Sequence, residues 1–314
     1  MSLAFVFPGQ GSQSVGMGAD LALAFAPARE VFQEVDDALG QNLSRLMREG
    51  PEDQLTLTEN AQPALMAVSL AVSRTLAAEF GIGIDKAAFV AGHSLGEYSA
   101  LAAAGAFSVS DTARLLKLRG QAMQRAVPVG AGAMASLIGP KADVALAEEA
   151  ALAGQAFGVC VVANDNNQGN VVISGAKAAV DAAIEKAKEL GARAILLNVS
   201  APFHCPLMEP AATEMARALS EAQIAAPRAA LVANVTARPT FDPDTIRNLL
   251  VDQVTGRVRW RESVLWLVGE GGVTRFAELG AGKVLSGMIK RIAPDAEAVP
   301  LNTPADLEAF AKSL

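Results

Sequence analysis

The sequence predicts an α/β protein built on a mainly parallel sheet covered on both faces. Short apolar runs such as "LAFVF", "AAFVA" and "TRFAEL" alternate with longer helical segments, as strands and their crossovers do. Of the 314 residues, 51% are apolar and only 5% aromatic, a composition in which small side chains let helices lie close to a sheet. One stretch, residues 128–199, departs from the rhythm and reads β-α-β-β-α-β.

Taken in order, a strand over 3–7 runs into the loop "PGQGSQSVG", and a helix follows in "ALAFAPAREVFQEVDDALG", stopping at Gly40. A long apolar helix in "TENAQPALMAVSLAVSRTLAAEFG" has Pro63 near its start and Gly81 at its end. A strand at 87–91 leads into "GHSLG" and a helix ending at Gly105; Ser110 is expected to cap the next helix, which runs to about Arg125. The 128–199 segment is read as an inserted ferredoxin-like subdomain, with 1–127 and 200–314 as the core. In the second core segment, helices are expected from Met208, over 243–255 behind Asp242, over 260–270, over 281–291 and after Thr303, with strands at "AALVANV" and "TRFAEL".

The net charge of −7 argues against nucleic acid as a partner. No uncharged apolar run is read as approaching the ~18 residues of a membrane span, and no leader is read at the N-terminus. The two cysteines, Cys160 and Cys205, lie far apart without metal spacing. No metal is therefore expected, and a reducing cytoplasm is the expected setting, with the chain as a monomer. Two basic clusters stand out, Arg257-Arg259-Arg261 and Lys283-Lys290-Arg291; ordinary solvated surface is the plainer account of both.

Gly92-His93-Ser94-Leu95-Gly96 matches G-x-S-x-G between a strand and a helix, the setting of a nucleophile elbow. There the serine oxygen sits at a helix N-terminus, where amides and the dipole favour negative charge. Alternatively Ser94 is only a helix cap. A serine needs a base, and the chain has two histidines. His93 adjoins Ser94 and should point away, which leaves His204 in "SAPFHCPLME". Cys205, bonded next to His204, is read as packing. The Leu95 amide is one oxyanion donor in elbow geometry, and Gln10 in the Gly-rich first loop is the candidate for the second. Arg119 shares the apolar helix face of Leu115, Leu116, Ala122 and Met123. An inward guanidinium needs an anion, either a structural Asp or Glu or a substrate carboxylate held in a bidentate grip.

With these residues in place, the chain resembles the malonyl-CoA:acyl carrier protein transacylases of bacterial fatty acid synthesis. "FVFPGQGSQ", "AQPAL", "AGHSLGEYSALAAAG", "LRG", "AVPVGAGAMASLIG", "VVISG", "PFHCPLM" and "ELGAGKVLSGMIKR" occur in that family's order over nearly the whole length. The resemblance implies an α/β-hydrolase-like core with a ferredoxin-like insert, and no cofactor beyond malonyl-CoA as substrate. It implies that Ser94 carries the malonyl ester, that His204 is base and then acid, and that Gln10 and Leu95 donate to the oxyanion. Arg119 would hold the malonyl carboxylate, and the main-chain carbonyl of Gln253 would orient the histidine. Gln62 and Asn164 match polar positions near the acyl pocket, although "NDNNQGN" departs from the Pro-containing turn common there. Phe203 matches a bulky ring that accompanies malonyl rather than α-methylated units. Acyl carrier protein, being acidic, is the implied partner. A serine esterase on the same fold, with Asp165 as triad acid, and a non-catalytic carrier-binding scaffold are the rival readings.

Overall fold

The computed structural model describes residues 2–314. Strand β1 (Ser2–Phe7) sends Leu3, Phe5 and Phe7 into one apolar cluster and Ala4 and Val6 into another, as a strand covered on both faces does. The segment expected as one helix up to Gly40 is two, α1 (Ala19–Ala24) and α2 (Ala26–Leu39). Phe25 between them is extended, at φ −127°, and Pro27 occupies the first turn of α2, where a missing N–H is harmless. Two short helices without a clear periodic signal follow, α3 (Leu43–Glu49) and α4 (Glu52–Thr56).

Helix α5 (Thr58–Phe80) is long and apolar, its uncharged run broken by Arg74. By length and composition it could cross a membrane, with a mean hydropathy of 1.2 over 18 residues, yet 67% of that window is buried inside the fold. Its apolarity serves the core, where it packs against α2 and α7. Strand β2 (Phe89–Gly92) leads to α6 (Gly96–Ala103) and α7 (Val109–Ala126). The cap of α7 is Ser108, whose hydroxyl accepts from the Asp111 amide at 3.0 Å; Ser110, the expected cap, lies inside the first turn.

A second sheet is built from β3 (Gly132–Ile138), α8 (Val144–Gly154), β4 (Cys160–Asn167), β5 (Asn170–Ala176), α9 (Lys177–Glu189) and β6 (Arg193–Leu196). Its strand order is β4-β5-β3-β6 and every neighbouring pair is antiparallel, the split βαβ arrangement. It has its own apolar cluster, rich in Ala and Val. The chain then forms α10 (Glu209–Glu221), β7 (Ala230–Val232), β8 (Pro239–Thr240), α11 (Pro243–Thr255) and α12 (Trp260–Gly269). It closes with β9 (Val273–Leu279), α13 (Val284–Ile292), β10 (Glu297–Leu301) and α14 (Pro304–Lys312). Asp242 caps α11 through the Thr245 amide, and Thr303 and Asp306 form a capping box on α14.

The main sheet runs β10-β9-β1-β2-β7-β8 and is parallel except at the β7–β8 hairpin. From β1 the chain moves outward through β2 and β7, then returns to add β9 and β10 on the other side. Such a reversal opens a crevice at the carboxyl ends of the strands. Here those ends are Phe7, Gly92, Val232 and Leu279. The second sheet is joined to the first beside this crevice: Asp165 N donates to the Val258 carbonyl at 2.9 Å and Val258 N to that of Ala163 at 2.8 Å.

Candidate active site

The elbow after β2 is sterically forced. A Cβ on Gly92 would lie 1.9 Å from the Gly96 carbonyl carbon, and one on Gly96 would lie 2.2 Å from the Phe7 oxygen. Between them Ser94 takes φ 53°, a left-handed conformation that side chains disfavour and that surrounding structure must impose. Asn234, just past β7, provides that hold: its Oδ1 accepts from Ser94 N at 2.8 Å and its Nδ2 donates to the Gly92 carbonyl at 2.6 Å. Gly92→Ala is therefore expected to cost about 3 kcal/mol or more in stability. Thermal denaturation checks this against Gly287→Ala, where a Cβ meets nothing within 4 Å.

Ser94 Oγ lies 2.8 Å from His204 Nε2, and His204 Nδ1 lies 2.9 Å from the main-chain oxygen of Gln253 in α11. That carbonyl can only accept, so Nδ1 carries the ring proton and Nε2 offers its lone pair to the serine hydroxyl. Burial first, then the charge of Arg119, pushes the His204 pKa down to about 3. The imidazole is neutral at physiological pH and competent to take a proton. His93 points the other way, with Nε2 2.9 Å from Asn166 Oδ1. Asp165, the acid a hydrolase triad would use, pairs with Arg261 at 3.0 Å instead of approaching His204. Cys205 donates its thiol to the Pro202 carbonyl at 3.0 Å, and burial raises its pKa.

Arg119 is 1% exposed. Its neighbour Gly120 lets α7 close on α5, where a Cβ would sit 2.6 Å from Glu59 Cα. The guanidinium reaches across to Gln62 Oε1 at 2.8 Å, Gln253 Oε1 at 2.9 Å and Ser94 Oγ at 3.2 Å, with the Tyr98 ring 5.7 Å away. Among the described residues it makes no ion pair. A buried cation satisfied only by neutral oxygens, beside the Ser94 hydroxyl, is electrostatically suited to receive an anion.

A cavity of about 340 Å³ opens over these groups. Ser94, Leu95, Arg119 and His204 line it, as do Gln10, Gln62, Asn164 and Phe203, while Gln253 lies behind the histidine and arginine. The amides flanking Leu95 are engaged, Ser94 N by Asn234 and Gly96 N by the His93 carbonyl at 2.9 Å. Gln10 Nε2 donates to Thr58 Oγ1 at 3.3 Å, which fixes the first loop along the cavity wall. Two residues of the site escaped the sequence reading, Asn234 and Glu97. Glu97 is fully buried, and its Oε2 accepts from Asn234 N at 3.0 Å and Gln253 Nε2 at 2.9 Å. Its signal was present: a single acid in "GEYSALAAAG", a helix otherwise without charge.

Residues 4–300 match the model of the acyl transferase domain family. The chain is 43% identical over 312 residues to the malonyl CoA-acyl carrier protein transacylase of Haemophilus influenzae, covering 99% of this chain and 98% of that one. Its fold superposes with a TM-score of 0.96 on the acyl-carrier-protein-S-malonyltransferase of Bartonella henselae, at 53% identity, covering 100% and 99% of the two chains. A TM-score of 0.96 at 41% identity relates it to a malonyl-transacylase solved in complex with a type II PKS acyl-carrier protein, covering 100% of each chain. An elbow serine, a buried histidine and an unpaired inward arginine thus sit on a shared scaffold: the chain belongs to the acyl transferase domain family.

Proposed function

We propose that the protein moves a malonyl group from malonyl-CoA to the phosphopantetheine thiol of acyl carrier protein through an ester on Ser94, supplying fatty acid synthesis. One observation carries this reading: the Arg119 guanidinium lies 3.2 Å from Ser94 Oγ with no carboxylate of its own. An acyl group ending in a carboxylate, once bound to Ser94, could fold its anion onto that cation.

In the first half-reaction His204 Nε2 takes the Ser94 proton as Oγ bonds to the thioester carbonyl carbon. The resulting oxyanion accepts from the main-chain amides of Leu95 and Gln10. Collapse breaks the C–S bond, and CoA leaves with the proton held by His204. In the second half-reaction His204 takes the proton of the carrier thiol, the sulfur attacks the ester carbonyl, and Ser94 Oγ departs with that proton. Arg119 has a further effect in this sequence. Its positive charge is one of the two main influences that depress the basicity of His204. A malonyl carboxylate neutralises that charge, so the substrate's own anion strengthens the base at the moment of use. Gln62 fixes the guanidinium, and Asn164 and Phe203 form the acyl wall.

Intact-mass measurement tests the whole reading. Purified carrier incubated with the protein and malonyl-CoA gains a malonyl group, and the protein itself shows a malonyl adduct. Rapid release of free malonate without carrier loading would instead support a hydrolase.

The carrier's docking face follows from charge accounting. Arg257, Arg259 and Arg261 are paired with Glu148, Glu262 and Asp165. Lys283, Lys290 and Arg291 are exposed and make no ion pair among the described residues. They sit on or beside α13, whose Val284 and Met288 line the cavity. An acidic carrier would be drawn to this face, and the KM for carrier is expected to rise roughly 3- to 10-fold between low and high salt. Lys290→Glu with Arg291→Glu should reproduce that rise at low salt; a KM flat across the series refutes the docking face.

A further inference from the structure

Glu97 lies one turn behind the nucleophile and touches none of the reacting groups. It is fully buried, its Oε2 is shared by Asn234 N and Gln253 Nε2, and its Oε1 has no partner. No cation pairs with it among the described residues; the buried charge nearest in the network is Arg119, on the far side of the Gln253 amide. Burying a carboxylate in this way is costly, and a neutral side chain of similar shape would cost less. The acid therefore calls for a role that a neutral residue would not fill.

We propose that Glu97 is a positioning residue for malonyl selectivity, acting through the Gln253 side chain on Arg119. Burial raises the Glu97 pKa to about 7, yet its Oε2, already accepting from Asn234 N, offers Gln253 an acceptor in either protonation state. It so favours the NH2 turned inward, where Nε2 also donates to the Ser94 carbonyl at 3.0 Å. The amide oxygen then faces Arg119, whose Nη2 it holds at 2.9 Å and 3.2 Å from Ser94 Oγ in turn. A reversed amide would set two donors against each other, and the guanidinium would lose its fixed plane. That plane decides whether a carboxylate can be gripped by two parallel bonds. His204 is outside this relay because it uses the Gln253 main-chain oxygen.

The inference rests on the malonyl reading above, and the wild-type protein separates the two: without malonyl preference in wild type, the function fails first. Given that preference, Glu97→Gln in the full chain is expected to lower the malonyl-to-acetyl ratio of kcat/KM about tenfold, mainly through KM for malonyl-CoA. In an Arg119→Ala background the same substitution should lower the ratio no further, since the relay's endpoint is gone. Equal losses for both acyl groups, or the same drop in ratio without Arg119, would show a purely structural acid and overturn the proposal. Should Glu97→Gln not fold, Gln253→Met decides, because it removes the amide and keeps the carbonyl that His204 uses. A fall in the ratio then supports the relay, and an unchanged ratio overturns it.

Discussion

Ser94→Ala is expected to abolish the acyl-enzyme and to slow malonyl transfer on the order of 10⁵-fold. The size follows from the arrangement. Ser94 Oγ is the group His204 Nε2 is aimed at, at 2.8 Å, and removing it leaves the first half-reaction without a nucleophile. No substitute is at hand, since the Cys205 thiol is bonded to the Pro202 carbonyl and is made less acidic by burial. The residual rate comes from oxyanion donors and binding alone. Folding should be little changed, because the elbow is held by the Ser94 main chain, through Asn234 and Gln253, and not by its hydroxyl. Mass spectrometry after mixing with malonyl-CoA gives the answer directly. An adduct that persists in Ser94→Ala would place the nucleophile elsewhere.

Arg119→Ala should produce the second largest effect, and a selective one. Losing a charged, two-pronged contact is worth about 2–4 kcal/mol in the transition state, or roughly 30- to 1,000-fold in kcat/KM for malonyl-CoA. Acetyl-CoA has no carboxylate to lose. Its turnover is subject to two smaller changes of opposite sign. Gln62 and Gln253 lose their donor, which loosens the site. His204 loses a nearby positive charge that depresses its basicity, which favours proton transfer. The expected result is a variant that has exchanged malonyl preference for tolerance of uncharged acyl groups. Steady-state kinetics on both substrates measure it, and parallel losses would mean that Arg119 only braces the fold.

The reach of the sequence ended at recognisable physical boundaries. The elbow was legible because two glycines flank a serine between an apolar run and a helix, and backbone occupies the space of both missing side chains. His204 was legible by scarcity, one of two histidines, and Arg119 because it breaks the polarity of its helix face. Strand β10 was missed because Pro300 interrupts a short run, which an edge strand beside β9 tolerates. The cap of α7 was misplaced by two residues because Ser108 and Ser110 offer the same chemistry, and only backbone geometry chooses Ser108. Glu97, Asn234 and Gln253 lie 137 to 159 residues from their partners across the elbow, and bonds between polar side chains and distant backbone leave no periodicity. Gln253 was reached through the family resemblance alone, and only for its carbonyl. Its carbonyl could come from any residue type, while its amide matters only once Arg119 and Glu97 are known to flank it.

The histidine that leans on a peptide oxygen, rather than on an anion, has a kinetic corollary. A dipole steadies the charged ring less than a carboxylate would, so this base remains feeble. A thiol ionises near pH 8.5 and yields its hydrogen even to a feeble base, whereas a solvent molecule does not. In the proposed reaction Ser94 offsets that weakness by its fixed place 2.8 Å from Nε2, and a thiol by its acidity. A passing water has neither advantage, so the stored ester would outlast its encounters with solvent and wait for a sulfur acceptor.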